Sequence, residues 1–152
     1  IGYLSGPQET STGRQRLHAF KAATRGMPTH IHHGSYRHRE GYKGAIALLQ
    51  EGVTALIAGD SMMTAGALEA CHNAGKRIGE EIALVGFDDF IYLRFQPSPI
   101  SVVDQDVARM GETATAKLIA AINEKHQPEG EVLETRYIPR MSTAHQLDGA
   151  TP

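Results

Sequence analysis

Short apolar segments alternate with longer segments of helical period along most of this chain. The apolar segments predict buried strands, and they are IGYL at 1–4, TALIA at 54–58, IALVGF at 82–87 and ISVV at 100–103. A weaker alternation at 29–36 and a segment at 134–139 predict two further strands. Between them, apolar positions spaced to share one face predict helices at 12–26, 39–50, 60–74 and 107–125.

Strands that are apolar throughout indicate burial on both faces. The sequence therefore predicts an α/β fold, with a mostly parallel sheet and helices on both of its faces. In such a sheet, ligands bind beyond the carboxyl ends of the strands. Asp88 and Asp89 end one predicted strand, Asp60 and Ser61 end another, and the polar segment 10–16 follows the first. We expect these three segments to place polar groups on one rim.

Composition narrows the classes of protein that fit. The net charge of −2 gives the whole domain no electrostatic attraction to nucleic acid or to an anionic membrane. No apolar run reaches the roughly 18–20 residues of a membrane helix, and no signal peptide is visible. The single cysteine, Cys71, cannot form an internal disulfide, which favours the cytoplasm. Because Ile1 lies within an apolar run and is not an initiator Met, we expect a fragment.

The adjacent carboxylates Asp88 and Asp89 have two interpretations. In one, a carboxylate caps the next turn and the other is solvated. In the other, Asp88 accepts hydrogen bonds from the hydroxyls of a bound polar ligand, as an acceptor-only group does well. Arg14 and Arg16 begin the first helix, and side chains two positions apart diverge by about 200°, so at most one of them faces the rim.

The sequence gives little support for a metal site or for nucleophilic catalysis. His30, His32, His33 and His38 lie close in sequence, but no cysteine or second histidine cluster accompanies them, so we interpret them as structural or surface residues. The chain has no G-x-S-x-G elbow and no phosphate-binding loop, and Cys71 falls within a predicted helix. We therefore predict no metal, no cofactor and no enzymatic activity, with an α/β enzyme acting on sugars as a minor alternative.

Several segments together resemble a known family. GDSMMTAGALEACHNAGKRIGEEIALVGFDDF and PSPISVVDQDVARMGETATAKLI, with IGYLSGPQETSTGRQRLHAF and HGSYRHREGYKGAIALL, resemble the effector-binding core of LacI/GalR-type bacterial transcription repressors. The resemblance covers about residues 1–143, in order. It implies a periplasmic-binding-protein-like core of two subdomains, with a small effector in the cleft between them.

The resemblance also implies a division of the chain. Residues 1–103 correspond to the C-terminal subdomain, 104–133 cross to the N-terminal subdomain, 134–143 return as a strand, and 144–152 form a tail. The DNA-binding headpiece and most of the N-terminal subdomain are absent. We therefore expect the apolar stripe of the helix at 107–125 to lack the sheet that would cover it. The polar residues from Ser142 onward are expected to fray.

The effector contacts follow from the same resemblance. Arg16 takes the position of the effector-contacting arginine, with Thr12 as a weaker neighbour, and Asp88 takes that of the aspartate that bonds sugar hydroxyls. Tyr36 falls where an aromatic ring packs on the ligand, and Gln105 lies near the hinge. Asp60 replaces a usual asparagine by an acceptor-only carboxylate. This change disfavours an acidic effector unless Arg16 offsets the charge.

Dimerisation in this family uses the C-terminal subdomain, and the apolar segment FIYLRF supports a partner surface. The alternative is that these aromatic residues pack on their own subdomain. The residues predicted to face a second copy are Met62, Thr64, Ala65, Leu68, Tyr92 and Phe95.

The resemblance thus implies a cytoplasmic, ligand-responsive repressor that is a homodimer without membrane contact. It would sense a sugar, polyol or sugar acid and bind operator DNA through the absent headpiece. The alternative function is that of a periplasmic sugar-binding protein of a transport system, which shares the fold and has no DNA partner.

Overall fold

The structure, a computed structural model, describes residues 1–124 and 127–144. The strands are β1 (Gly2–Ser5), β2 (His30–His33), β3 (Ala55–Ala58), β4 (Ala83–Phe87), β5 (Ser101–Asp104) and β6 (Arg136–Ile138). The helices are α1 (Ser11–Ala23), α2 (His38–Gln50), α3 (Ser61–Asn73), α4 (Ile91–Arg94), α5 (Val107–Glu124) and α6 (Met141–Ala144).

The strands form one sheet in the order β2-β1-β3-β4-β5-β6. The first five are parallel, and β6 pairs antiparallel with β5 at the edge. The chain moves outward from β1 to β2 and then crosses back to β3, so the direction of winding reverses between β1 and β3. Beyond the carboxyl ends of the strands at such a reversal, loops diverge and leave a crevice for a ligand.

Helices cover both faces of the sheet. Successive residues of a strand point to opposite faces, so neighbours in one strand pack against different helices. Leu4 of β1 lies in the larger core with α2 and α3, whereas Tyr3 lies in a smaller core with Leu17 and Phe20 of α1. The rings of Tyr3 and Phe20 stack with 4.6 Å between their centres. The predicted fold class, a mostly parallel α/β sheet with helices on both faces, is confirmed.

Helices α2 and α3 cross at glycines. A methyl group at Gly66 would lie 2.2 Å from the carbonyl oxygen of His38, and one at Gly41 would lie 2.6 Å from the backbone of Met63. These distances are far below van der Waals contact, so only glycine allows the two backbones to approach this closely. The crossing fixes α3, and with it the helix N-terminus that faces the rim.

The C-terminal segment differs from its prediction. The short helix α6 contains Ser142, which is fully buried. Its hydroxyl donates to the carbonyl oxygen of Leu84 at 2.6 Å and accepts from the backbone N–H of Ser101 at 2.8 Å. The expectation of fraying from Ser142 is therefore wrong, because the side chain joins two strands of the sheet. Of the predicted tail at 144–152, residue 144 is the last of α6, and 145–152 lie outside the described residues.

The apolar stripe of helix α5 is exposed to solvent. Val107, Leu118 and Ile122 are 58%, 60% and 68% exposed. The amine of Lys117 donates to the carbonyl oxygen of Glu129 at 2.9 Å, so α5 is tied to the segment that precedes β6. None of the described helices combines the length and the apolarity needed to cross a membrane.

Candidate functional site

The strand register brings two of the predicted aspartates to neighbouring positions. Ile57 of β3 pairs with Val85 of β4, and Asp60 and Asp88 each follow three residues later. Both lie at the carboxyl ends of adjacent parallel strands, next to the reversal between β1 and β3. The register therefore places Asp60 and Asp88 at the same edge of the sheet.

Arg16 reaches this rim from α1. Its Nη1 donates to the carbonyl oxygen of Gly59 at 2.7 Å, and its Nη2 donates to Oε1 of Gln105 at 3.1 Å. Its guanidinium stacks on Phe87 with 3.9 Å from Cζ to the ring centre. Arg14 is exposed and donates to backbone carbonyls of the loop before α1. One of the two arginines faces the rim, as helical geometry predicts.

Gln105 joins Arg16 to Asp88. Its Nε2 donates to Oδ1 of Asp88 at 2.7 Å, while its Oε1 accepts from Arg16. Asp88 has φ of 60°, a left-handed conformation that turns its side chain out of the line of β4. Gln105 lies between the end of β5 and the start of α5, so the bonded chain connects the rim to the entrance of that helix.

Asp60 is the N-cap of α3. Its Oδ1 accepts from the backbone N–H of Met62 at 2.8 Å and of Met63 at 3.3 Å. Its side chain satisfies two N–H groups that have no partner within the helix. The cap fixes the orientation of the carboxylate at the rim.

Thr64 is a positioning residue that sequence reasoning missed. Its Oγ1 donates to the carbonyl oxygen of Asp60 at 2.8 Å and accepts from the backbone N–H of Phe87 at 2.9 Å. It therefore ties the start of α3 to the end of β4, where Asp88 follows. A methyl group at Gly86 would lie 2.5 Å from Thr64, so this contact requires glycine in β4. The only signal in the sequence is a polar residue on the apolar face of α3.

Tyr36 and Thr12 meet at the other end of the rim. Their hydroxyl oxygens lie 3.1 Å apart, and the ring of Tyr36 covers Gly6 so closely that a methyl group there would lie 2.0 Å from it. The loop after β1, the start of α1 and the loop after β2 therefore converge. Of the six predicted effector contacts, Arg16, Gln105 and Asp88 form one hydrogen-bonded chain, and Thr12 and Tyr36 form a separate pair.

Asp89 has a structural role that neither interpretation of the two carboxylates contained. Its Oδ1 accepts from Nη2 of Arg140 at 2.6 Å, and its Oδ2 pairs with Nη2 of Arg94 at 2.9 Å. Burial opposes ionisation of Asp89, but the hydrogen bonds from Arg140 and Arg94 outweigh it and lower the pKa of the carboxyl. Asp89 is thus a latch between the end of β4 and the C-terminal segment.

Two tyrosines near the rim are held in the neutral form. Burial raises the pKa of Tyr3 to about 12, and the nearby charge of Arg16 opposes that shift. Burial also raises the pKa of Tyr92, and the charges of Asp60 and Asp88 add to it. Both carboxylates therefore act on one hydroxyl, which is consistent with their neighbouring positions.

Three of the residues predicted to face a second copy are exposed. Met62, Tyr92 and Phe95 are 50%, 39% and 79% exposed, and Phe90 and Ile91 add to this apolar surface. A groove of about 660 Å³ runs beside it. Its lining includes Ala65, Leu68, Tyr92 and Gln96. The groove is larger than the cavity of about 250 Å³ beside Asp88 and Asp89, yet the polar chemistry lies at the rim.

Thr64 does not belong to this exposed set. It is fully buried, on the face of α3 that packs against β4, so its inclusion among the partner contacts is wrong. Helical spacing places it about 100° from Ala65, which is enough to turn it inward.

Two of the four clustered histidines pair separately with glutamates. His30 pairs with Glu51, and Nε2 of His38 lies 2.9 Å from Oε2 of Glu69. Within residues 1–124 and 127–144, no group of three or more His, Cys, Asp or Glu side chains is arranged to hold a metal ion.

Comparison with known proteins assigns the family. Residues 1–143 match the model of the periplasmic binding protein-like domain, and the chain belongs to this family.

Several relatives extend the comparison. The HTH-type transcriptional repressor PurR of Escherichia coli O1:K1 is 30% identical over 152 residues, covering 95% of this chain and 45% of the relative. The crystal structure of a probable LacI family transcriptional regulator from Corynebacterium glutamicum shares 40% sequence identity with this chain at a TM-score of 0.81. The match covers 94% of this chain and 53% of that protein. The transcriptional regulator CelR, in complex with cellobiose, shares 28% sequence identity at a TM-score of 0.81. That match covers 93% of this chain and 46% of CelR. The chain spans about half the length of these relatives.

Proposed function

We propose that this chain is the effector-binding core of a LacI-type transcription repressor. The effector is a small sugar-like molecule, and DNA is bound by a helix-turn-helix headpiece elsewhere in the protein. The observation that carries the proposal is the chain of hydrogen bonds from Arg16 through Gln105 to Asp88 at the strand ends. The curated relatives are named as repressors, and the CelR complex holds cellobiose, which supports a carbohydrate effector.

The mechanism follows from where Gln105 lies. A ligand that hydrogen-bonds to Arg16 or Asp88 acts on partners of Gln105, and Gln105 precedes α5 by two residues. Such a ligand favours one orientation of the 104–107 segment over another. It changes DNA binding only by the difference in its affinity for the two orientations.

The division of the chain is part of the proposal. Residues 1–103 form the C-terminal subdomain, 104–133 belong to the N-terminal subdomain, and 134–143 return. The exposed apolar stripe of α5 supports this division, since Leu118 and Ile122 are more than half exposed. So does the bond between Lys117 and Glu129, which joins two parts of the crossing segment to each other.

We also propose a cytoplasmic homodimer that acts by binding and not by turnover. The exposed apolar side chains of Met62, Ile91 and Phe95 support a partner surface next to α3 and α4. A periplasmic sugar-binding protein shares the fold, but those receptors usually work as monomers, and this surface argues against that function. Light scattering of the full-length protein separates the two, because the repressor is expected to be a dimer.

The test uses the full-length protein and DNA from upstream of its own gene. Fluorescence anisotropy measures DNA binding as neutral mono- and disaccharides, cellobiose among them, are added. We expect one sugar to change the affinity, and Asp88→Ala and Arg16→Ala to weaken that response by about 1.5–3 kcal/mol. Arg14→Ala is the matched control, since it removes the same charge from an exposed position on the same helix. The present chain alone is expected not to bind the DNA.

Two results would contradict the proposal. One is an unchanged response in both rim variants, and the other is specific operator binding by residues 1–152 alone. Turnover of a sugar that Asp88→Asn abolishes would instead indicate an enzyme.

A further inference from the structure

The chain leaves the sheet after β5 and returns to it at β6, and these two crossings lie side by side. Asp104 ends β5, Arg136 begins β6, and the two residues pair directly across the antiparallel strands. Helix α5 and the segment before β6 lie between the two crossings in sequence. A change in the orientation of α5 relative to the sheet therefore acts on the backbone next to Asp104 and Arg136.

The carboxylate of Asp104 bonds to both crossings. Its Oδ2 accepts from Nε and Nη2 of Arg136 at 3.2 and 3.1 Å, and its Oδ1 accepts from the backbone N–H of Asp106 at 3.1 Å. Asp104 is only 8% exposed, so the carboxylate is largely shielded from water. Two donors of one rigid guanidinium restrict the direction of approach more than a single contact does. We refer to Asp104 and Arg136 as the crossover clamp.

The turn that follows β5 depends on the same carboxylate. Asp106 has φ of 53°, a left-handed conformation that residues other than glycine seldom adopt. Its N–H donates to Asp104, and its own Oδ1 accepts from the backbone N–H of Arg109 at 3.2 Å. Two hydrogen bonds therefore connect Asp104, through this turn, to the first turn of α5.

Gln105 lies between these two aspartates and has different partners. Its side chain bonds to Arg16 and Asp88 at the rim, whereas that of Asp104 bonds to Arg136. A ligand at the rim therefore acts on the middle residue of a three-residue segment. The outer residues of this segment are bonded to β6 and to α5. A displacement of Gln105 reaches both crossings only while those outer bonds hold, because otherwise the segment yields locally.

The clamp is better suited to coupling than to stability. The side chain of Arg136 is 69% exposed, and exposed ion pairs add little to the free energy of unfolding. Breaking the contact from the side of Arg136 is therefore expected to leave the fold intact. Its effect on the relative position of the two crossings can then be measured in a folded protein.

We propose that Asp104 and Arg136 are positioning residues that carry the effector response from the rim to DNA binding. They hold the two crossings together, so that the outgoing and returning segments move as one unit when a ligand displaces Gln105. Neither residue needs to contact the effector. The inference rests on the proposed function, since it concerns how the same site is coupled to DNA.

The experiment measures this coupling in the full-length protein and in its Arg136→Met variant. Fluorescence anisotropy gives the operator affinity with and without cellobiose, or the sugar of the screen above that changes it most. Calorimetry gives the affinity of the same sugar with and without operator DNA. In the variant, the effect of the sugar on operator affinity is expected to fall by about three-fold or more. The effect of DNA on sugar affinity is expected to fall by the same factor, because the two effects are thermodynamically linked.

Two measurements distinguish a loss of coupling from a general structural change. The affinity of the sugar for the DNA-free variant is expected to stay within about two-fold of the unchanged protein, since the variant leaves Arg16, Gln105 and Asp88 in place. The midpoint of urea unfolding is expected to match that of Lys43→Met. This matched control breaks an exposed ion pair with Glu40 inside α2, and it is expected to keep the full coupling.

Asp104→Asn tests the other half of the clamp. It removes the charge that Arg136 meets and keeps a side-chain oxygen for the N–H of Asp106. Because the two clamp residues act as one unit, the double variant with Arg136→Met is expected to lose no more coupling than the larger of the two single losses. Losses that multiply would contradict the clamp.

Three further results would overturn the proposal. They are full coupling in Arg136→Met, an equal loss in Lys43→Met, and a loss of sugar affinity in the DNA-free variant as large as the loss of coupling. In each case a sugar still shifts operator affinity in the unchanged protein, so the proposed function stands. If no sugar of the screen shifts operator affinity in the unchanged protein, the proposed function fails, and the clamp proposal fails with it.

Discussion

The ion pair between Asp89 and Arg140 gives the clearest prediction about stability. The side chains of Asp89 and Arg140 are 11% and 16% exposed, and their bond is 2.6 Å long. Arg140 also donates to the carbonyl oxygen of Ile100, so it stays in place when its partner changes. Replacing Asp89 by Asn leaves a partly buried guanidinium without its counter-charge. This loss is expected to cost about 2–3 kcal/mol, the range for a charged hydrogen bond that is mostly removed from water.

Arg94 is the internal control. It pairs with the same carboxylate at 2.9 Å, but its side chain is 51% exposed. Arg94→Ala is therefore expected to change the stability by less than about 1 kcal/mol, as for solvent-exposed pairs. Urea unfolding followed by circular dichroism at 222 nm measures each variant. A double-mutant cycle of Asp89→Asn with Arg140→Met isolates the coupling energy of the buried pair.

The pH dependence checks the same contact independently. The pKa of Asp89 is lowered in the folded protein because Arg140 and Arg94 outweigh the effect of burial. Its stabilisation is therefore fully present above the unfolded value of about 3.9 and is lost as the pH falls through the lower, folded pKa. The difference between the unchanged chain and Asp89→Asn should be constant from about pH 5 to 7 and shrink below about pH 4. A cost below about 0.5 kcal/mol at pH 7, or a cost equal to that of Arg94→Ala, would refute the latch.

Three further predictions concern the core. Cys71 is fully buried and burial raises its pKa to about 11, so a thiol reagent should label it only on unfolding; labelling of the native protein within seconds would contradict its burial. Ser142→Ala removes a hydroxyl that bonds to two strands, and it should lower the free energy of unfolding in urea by about 1–3 kcal/mol. A change smaller than about 0.3 kcal/mol would show that the two bonds do not stabilise the fold. Gly66→Ala should destabilise the protein by more than about 2 kcal/mol, because the added methyl group would lie 2.2 Å from the carbonyl oxygen of His38. Gly111→Ala has open space around it and should stabilise α5 by about 0.5–1 kcal/mol. Equal effects of the two changes on the midpoint of unfolding would disprove the close crossing of α2 and α3.

The order of the strands and of the four longer helices could be predicted from the sequence, because each of these elements has its own local pattern. Buried parallel strands are apolar throughout, and α2, α3 and α5 show a helical period with boundaries within one residue of those expected. The gathering of Asp60 and Asp88 on one rim also followed, since every parallel strand ends at the same edge. Physically, these are properties of single segments and of one general rule of topology.

The tertiary structure decided what each polar side chain does. Hydrophobic periodicity does not distinguish Asp88 from Asp89, and only the family resemblance singled out Asp88. In the structure, Asp88 bonds to Gln105 at the rim, whereas Asp89 bonds to Arg140, which follows it by 51 positions. Likewise, Ser142 belongs to a polar stretch by composition but to the core by position. A hydrogen bond between distant segments depends on orientations set by the whole packing, and the local sequence carries no record of it.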